Sequence, residues 1–121
     1  MISLFDHNTD LVGWMIPDRH IFDVDMNWVA YISNGHAWSA ETGNWLGPIA
    51  GFTCLDQGGR PLAWNPEMPI EEMMRPMRPI RAMRSMRPMR PMRPMRPMRP
   101  MRPMRPMGGW SGLSWEDWIG Q

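Results

Sequence analysis

Histidine and cysteine are the side chains of this sequence with the most reactive chemistry, and they are few. His7, His20 and His36 are 13 and 16 residues apart. His20 and His36 open successive copies of an internal repeat, so a two-histidine metal site between neighbouring hairpins is one hypothesis. The simpler hypothesis is that these histidines are polar residues at the ends of strands. Cys54 lies in an apolar strand pattern, which favours a small core residue over a reactive thiol.

A second kind of chemistry, cationic and thioether, lies in residues 75–107, which form eleven triplets. Arg holds the first place of every triplet, Pro the second except at Ala82 and Ser85, and Met the third except at Ile80. Proline fixes its own φ and disfavours the helical conformation of the residue before it. We therefore predict a polyproline II or disordered arm. Because that helix has three residues per turn, Arg, Pro and Met would each form a separate edge.

Four functions are compatible with this arm. It could be a spacer grown by repeat expansion. It could bind an anionic membrane, with Met facing the acyl chains and with Arg on the phosphates at about 1 kcal/mol each. It could be a proline-rich ligand for the aromatic groove of a partner, or for the acidic body of its own domain. The fourth function, nucleic-acid binding, is disfavoured because no aromatic residues alternate with the arginines to stack on bases. Thioether binding of Cu(I), which would overlap with these functions, is disfavoured by the neighbouring arginines.

Residues 108–121 form a tail that contains three tryptophans. Ser114 followed by Asp117 is the pattern of a capping box, which predicts a short helical turn. Three exposed tryptophans in a tail this short would form an apolar patch that is unfavourable in water, so their side chains should dock on another surface. That surface is either the opening of the chain's own barrel, or a partner protein or membrane interface, where Trp is enriched.

No glycine-rich phosphate loop, dinucleotide fingerprint, zinc-ligand spacing or nucleophile elbow occurs in the sequence. We therefore expect a binding protein rather than an enzyme, with no catalytic, cofactor-binding or metal-binding residue. The expected partner is an anionic lipid surface or a protein, and self-association is also compatible with the sequence. The candidate binding residues are the regular arginines of the arm and the tryptophans of the tail: Arg87, Arg90, Arg93, Arg96, Arg99, Arg102, Arg105, Trp110, Trp115 and Trp118.

The arm and tail must be carried by residues 1–66, which repeat one pattern four times. Each copy has an apolar pair, an Asp or Ser, a turn, and a second apolar run with a small residue inside it. Strand-forming residues between turn formers predict antiparallel strands, so each copy should be a β-hairpin. Equivalent positions, 16–17 residues apart, are Phe5, Phe22, Trp38 and Leu55; Asp6, Asp23, Ser39 and Asp56; and Gly13, Ala30, Gly47 and Ala63.

Four hairpins leave exposed sheet edges unless the sheet closes on itself. We therefore predict an all-β fold, a small pseudo-fourfold barrel of four β-hairpins, with the small residues converging near one axis. Strict strand alternation places Trp28 and Trp45 on the face of the small residues, and Trp14, Tyr31 and Trp64 on the other face. The resulting boundaries are 1–66 for the barrel, 67–74 for an acidic linker, 75–107 for the arm and 108–121 for the tail.

Charge is distributed unevenly along the chain. All thirteen basic residues are arginine and eleven lie in the arm, whereas ten of the twelve acids precede residue 75. This asymmetry predicts a basic arm on an acidic body. The acids of the predicted loops form either a solvated rim or a landing site for the arm: Asp6, Asp10, Asp23, Asp25 and Asp56.

Two further features bear on location. The first residues lack the basic segment and apolar stretch of a secretion signal. No stretch approaches the roughly 18 apolar residues of a membrane span. We therefore expect a cytoplasmic protein, or one peripheral to a membrane.

The repeated apolar–Asp–turn–apolar–small–aromatic pattern over residues 2–66 resembles the four-fold β-flower domain family. The tail is similar to the ending of such proteins, with Gly109-Trp110-Ser111 and then Ser114 to Trp118. The third copy departs from the pattern, with Ser39 in the Asp position and Pro48 in the aromatic one. The resemblance implies a shallow barrel of four hairpin petals, and it implies no catalytic residues.

Overall fold

A computed structural model of the chain describes residues 1–74, 76–101 and 105–121. One antiparallel sheet holds eight strands in chain order, each hydrogen-bonded to the next. The strands are β1 (Ile2–Phe5), β2 (Leu11–Ile16), β3 (His20–Asp23), β4 (Trp28–Ser33), β5 (His36–Ser39), β6 (Trp45–Ala50), β7 (Thr53–Leu55) and β8 (Pro61–Ala63). A single short helix, α1 (Trp115–Ile119), follows the arm in the described part of the chain.

The sheet closes where its last strand meets its first. Phe5 and Trp64 exchange two backbone hydrogen bonds of 2.8 and 2.9 Å. This bridge brings the end of β8 beside β1 and completes a nearly closed barrel, so few edge groups are left unpaired. The predicted all-β barrel of four hairpins is therefore confirmed, as is the short helix after the arm.

The hairpin turns share one side-chain device. In hairpins one, two and four, an aspartate Oδ1 accepts hydrogen bonds from the backbone amides two and four residues later, at 2.8–3.0 Å. These residues are Asp6, Asp23 and Asp56, and in the third hairpin Ser39 Oγ accepts one bond from the Thr42 amide at 3.1 Å. The repeated acid is therefore a structural residue of the turn, since it satisfies amides that the turn cannot pair otherwise.

We expect Asp23→Ala to lower the free energy of unfolding by about 1–2 kcal/mol, because two turn amides lose their acceptor. Asp23→Asn removes the same charge but keeps the Oδ1 acceptor, so its loss should be less than half as large. Urea unfolding followed by tryptophan fluorescence measures both. Equal losses in the two variants would show that charge, and not the turn hydrogen bonds, makes the contribution.

The register shifts by one residue at the same place in every hairpin. In the second hairpin Ile21 pairs with Ala30 and Phe22 pairs with Trp28, so Val29 is left as the extra residue between them. An extra residue of this kind is a β-bulge, and it reverses the alternation of faces for all residues beyond it.

The bulge corrects one prediction. Trp28 and Trp45 do not share the face of the small residues. They pack with Tyr31 and Trp38 in a cluster outside the interior core. Strict alternation failed because it takes no account of the extra residue. Each hairpin consequently has aliphatic and small residues inside the barrel and aromatic residues outside it.

The four small residues occupy equivalent positions in the interior. Each lies opposite an apolar residue of the strand before it, in the pairs Leu4–Gly13, Ile21–Ala30, Ala37–Gly47 and Cys54–Ala63. Cys54 is fully buried in this core, as predicted, and burial raises the pKa of its thiol. The interior space is shared with two tryptophans of the tail.

Candidate functional site

The tail fills one opening of the barrel. Ser114 Oγ accepts a hydrogen bond from the Asp117 amide at 3.1 Å and caps α1. Trp118 is 0% exposed, and its Nε1 donates to the Leu55 carbonyl at 3.1 Å. Trp115 packs against Trp118, with ring centroids 5.5 Å apart, and both belong to the interior core. The helix is thus an intramolecular plug, and these two candidate binding residues are inside the protein.

Polar contacts fasten the plug at both of its ends. The Ser111 amide donates to the Pro61 carbonyl at 2.8 Å, and its hydroxyl donates to Asp56 Oδ2 at 2.6 Å. At the other end Gln121 Nε2 donates to the Leu46 carbonyl at 3.3 Å. The third tail tryptophan, Trp110, is only half-buried and lies outside the interior core.

The described residues of the linker and the arm pass the turns of hairpins four, three, two and one, in that order. The residues that flank the arm on its two sides lie next to each other, because the Gly108 amide donates to Glu72 Oε2 at 2.8 Å. The arm therefore runs around the outside of the barrel. The linker residue just before the arm contacts the turn of hairpin four, where Met73 N donates to Gly59 O at 3.2 Å. The arm itself contacts the other three turns, through Arg84 Nη2 to Ala40 O at 2.6 Å and Glu41 O at 2.8 Å, Arg90 Nη2 to Asp25 O at 2.7 Å, and Arg99 Nη2 to Asn8 O at 2.8 Å.

Two of the loop acids form ion pairs with the arm. Arg93 lies 3.1 Å from Asp25, and Arg99 lies 3.1 Å from Asp10. All four side chains are well over half exposed, so each pair contributes only about 0–1 kcal/mol. The arm is held mainly by several guanidinium–carbonyl hydrogen bonds together. The acidic rim is thus in part a landing site for the arm and in part, through the three turn aspartates, a set of structural caps.

Exposure along the arm repeats every three residues. The second place of each described triplet is half-buried, and the first and third places are exposed. Ala82 packs against the outer cluster of Tyr31, Trp38 and Trp45, and Pro94 lines a cleft beside Trp14. The methionines point the other way: Met77, the least exposed of those described in the third place, is 87% exposed. The outer surface of the arm is therefore a row of methionines beside a row of arginines.

The structure separates the candidate arginines into two groups. Arg90, Arg93 and Arg99 donate to the barrel. Within the described chain, Arg87, Arg96 and Arg105 make no hydrogen bond to it and are exposed. Arg102 lies outside the described residues.

One arginine that contacts the barrel was absent from the candidates. Arg84 binds two carbonyls of the third turn. It precedes Ser85, one of the two second places without proline, and that irregularity is the only sign of it in the sequence.

The histidines of the repeat pack on tryptophans of their own hairpins. The rings of His20 and Trp28 are 5.8 Å apart, and those of His36 and Trp45 are 5.9 Å apart, both edge to face. Trp45 Nε1 donates to His36 Nδ1 at 3.2 Å, and burial lowers the pKa of His36. Among the described residues, no three His, Cys, Asp or Glu side chains come together as ligands for a metal ion.

No helix within the described ranges has both the length and the apolar character needed to cross a bilayer.

Comparison with known proteins gives the family. No curated protein and no solved structure matches this sequence. A family model described as 4-fold beta flower protein matches residues 2–119. The match runs from the first strand through the arm to the last residue of the plug helix, and it agrees with the four hairpins seen in the barrel. The chain therefore belongs to the 4-fold beta flower protein family.

Proposed function

We propose that this protein is a non-enzymatic binding module that attaches to an anionic membrane surface through the outer edge of its arm. The observation that supports this best is the almost complete exposure of the arm methionines beside a row of arginines. A folded protein rarely leaves so many large apolar side chains in water unless they meet another surface. Arginine suits the phosphates of such a surface, and methionine suits its acyl chains.

The tryptophans of the plug helix are not available as a membrane anchor, which would require them to be exposed. Trp115 and Trp118 are interior residues of the barrel, so they are not free to enter a lipid interface while the plug is in place. The proposal therefore assigns attachment to the arm alone. Arg87, Arg96 and Arg105 are exposed and, within the described chain, make no hydrogen bond to the barrel, so we assign contact with the lipid phosphates to their guanidinium groups. Each contributes about 1 kcal/mol next to an anionic surface.

The other functions compatible with the sequence have less support. Recognition of a proline-rich ligand needs access to the proline edge, and that edge is half-buried against the barrel. A plain spacer between barrel and plug needs only a few residues, because Met73 contacts Gly59 and Ser111 contacts Pro61 in the same hairpin. An arm that leaves this hairpin, passes the other three and returns is more than a spacer.

The proposed location follows from the same chemistry. Anionic lipids are concentrated in the cytoplasmic leaflet, and the single buried thiol of Cys54 needs no oxidising compartment. We propose attachment at the cytoplasmic face of a membrane.

Co-sedimentation with phosphatidylserine-containing vesicles tests the proposal. At ~50 mM salt, where surface charge is weakly screened, we expect the protein to bind these vesicles and not purely zwitterionic ones. The variant Arg87→Gln/Arg96→Gln/Arg105→Gln should lower the partition coefficient roughly 100-fold, since three contributions of about 1 kcal/mol are lost.

The matched control removes the same number of charges from arginines that the barrel already binds, as Arg90→Gln/Arg93→Gln/Arg99→Gln. Its loss should be several times smaller, because two of these charges already have an acidic partner. The proposal fails if the unchanged protein does not bind the anionic vesicles. It also fails if binding is as strong to zwitterionic ones.

A further inference from the structure

We infer that the methionines of the arm are a modification site, and that oxidation of their thioethers to sulfoxides releases the protein from the membrane while the barrel stays folded. This inference rests on the proposed membrane attachment. It assigns to the methionine edge a second property, a response to peroxides.

The methionines fall into two classes by exposure. Met15 is 0% exposed in the interior core, and Met26 is 3% exposed in a cluster with Trp14 and Phe22. Met89, Met92 and Met95 of the arm are each 92% exposed. Susceptibility to oxidation follows the exposure of the sulfur, so a peroxide reaches the arm first. The chain therefore contains its own protected controls.

The reaction needs only the peroxide. The methionine sulfur attacks one oxygen of hydrogen peroxide, a sulfur–oxygen bond forms and the oxygen–oxygen bond breaks. The second oxygen leaves as water after proton transfer. The sulfur is oxidised by two electrons and the peroxide is reduced by two. A flexible apolar side chain becomes a polar one, and methionine sulfoxide reductases reverse the change.

The contacts that hold the arm on the barrel do not involve these sulfurs. They are made by guanidinium groups on turn carbonyls and by the half-buried second places of the triplets. Oxidation therefore changes the outer edge and leaves the inner edge, the plug and the barrel core unaltered. The apolar part of membrane binding is lost, and the fold is kept.

The experiment exposes the full-length protein to graded hydrogen peroxide and measures three quantities. Peptide mass spectrometry should show sulfoxide throughout the arm at doses that leave Met15 and Met26 unmodified. Near-ultraviolet circular dichroism should be unchanged. Partition to phosphatidylserine-containing vesicles should fall roughly tenfold or more, because the apolar area that enters the bilayer is lost. Treatment with sulfoxide reductases should restore it.

The control is a variant in which every third-place methionine of the arm is replaced by leucine, which is apolar and does not oxidise. It should bind vesicles before and after peroxide alike. The inference is overturned if oxidised protein keeps its binding, if the leucine variant loses binding equally, or if Met15 and Met26 oxidise as fast as the arm. Failure of untreated protein to bind removes the proposed function itself, and the inference with it.

Discussion

Replacing Trp118 with alanine is expected to lower the free energy of unfolding by about 3–5 kcal/mol, the usual effect of deleting a large aromatic side chain from a core. Trp118 is the fully buried centre of the plug, and its Nε1 donates to the Leu55 carbonyl. The substitution removes the filling of the barrel and leaves that carbonyl without its donor. Since a small domain is stable by only about 5–15 kcal/mol, much of its stability would be lost.

Urea unfolding of three variants measures this effect. Trp118→Phe keeps most of the volume and loses only the hydrogen bond, so we expect a loss of about 1–2 kcal/mol. Trp110→Ala changes the half-buried tryptophan of the same tail, and its loss should be about 1 kcal/mol or less. If Trp118→Ala costs no more than Trp110→Ala, the plug does not contribute to the core and the role given to α1 is wrong.

Gly47→Ala is the second change with a large expected effect. Gly47 has φ of 150°, and a Cβ there would stand 2.1 Å from the Leu55 carbonyl oxygen. That oxygen belongs to the backbone of the following strand, so it has little freedom to move. Backbone strain and overpacking together should lower the free energy of unfolding by about 3–5 kcal/mol.

Gly35→Ala is the matched control for Gly47→Ala. Gly35 also has a positive φ, of 75°, but no atom lies within 4 Å of its Cβ position. Its substitution therefore costs only the left-handed conformation, about 1–2 kcal/mol. The difference between the two variants in chemical denaturation isolates the clash with Leu55. Equal losses would mean that the hairpins do not approach one another as closely as described.

Much of the fold was predictable because its determinants are local. The 16–17-residue repeat, the turn acids and the absence of any long helix pattern before residue 67 led to four hairpins and a closed sheet. The capping pair Ser114 and Asp117 gave the helix its start. A further signal was available: the Asn34-Gly35 pair is typical of a two-residue hairpin turn, and both residues have positive φ where they join β4 to β5.

The small residue of the repeat was predictable, but the choice between glycine and alanine was not. A Cβ on Gly13 would lie 2.4 Å from the Phe22 carbonyl oxygen, and the contact at Gly47 is similarly close. In the second and fourth hairpins Ala30 and Ala63 are fully buried and carry a Cβ at the same register. The distance between one hairpin and the next varies around the barrel. The residue pattern of one strand carries no information about that distance, so it does not predict where glycine is required.

For the candidate site, the sequence predicted which residues form the arm and tail but did not predict their surroundings. Among the candidate arginines, those that the barrel binds and those that it leaves exposed have the same neighbours in sequence, Pro and Met. Only the position of each triplet around the barrel decides which guanidinium group meets a turn carbonyl. The sequence also did not distinguish whether the tail tryptophans dock on the barrel opening or on an outside surface. The structure shows Trp115 and Trp118 inside the barrel.

By itself, the sequence determined the hairpin repeat, its turns, the helix cap and the three-residue period of the arm. These depend on backbone preferences and on the spacing of neighbouring residues. The tertiary structure decided which face each tryptophan takes, where the tail docks and how the arm runs around the barrel. A single bulge reverses the faces of a strand, and docking depends on the shape and the carbonyl groups of surfaces that exist only after the sheet has closed.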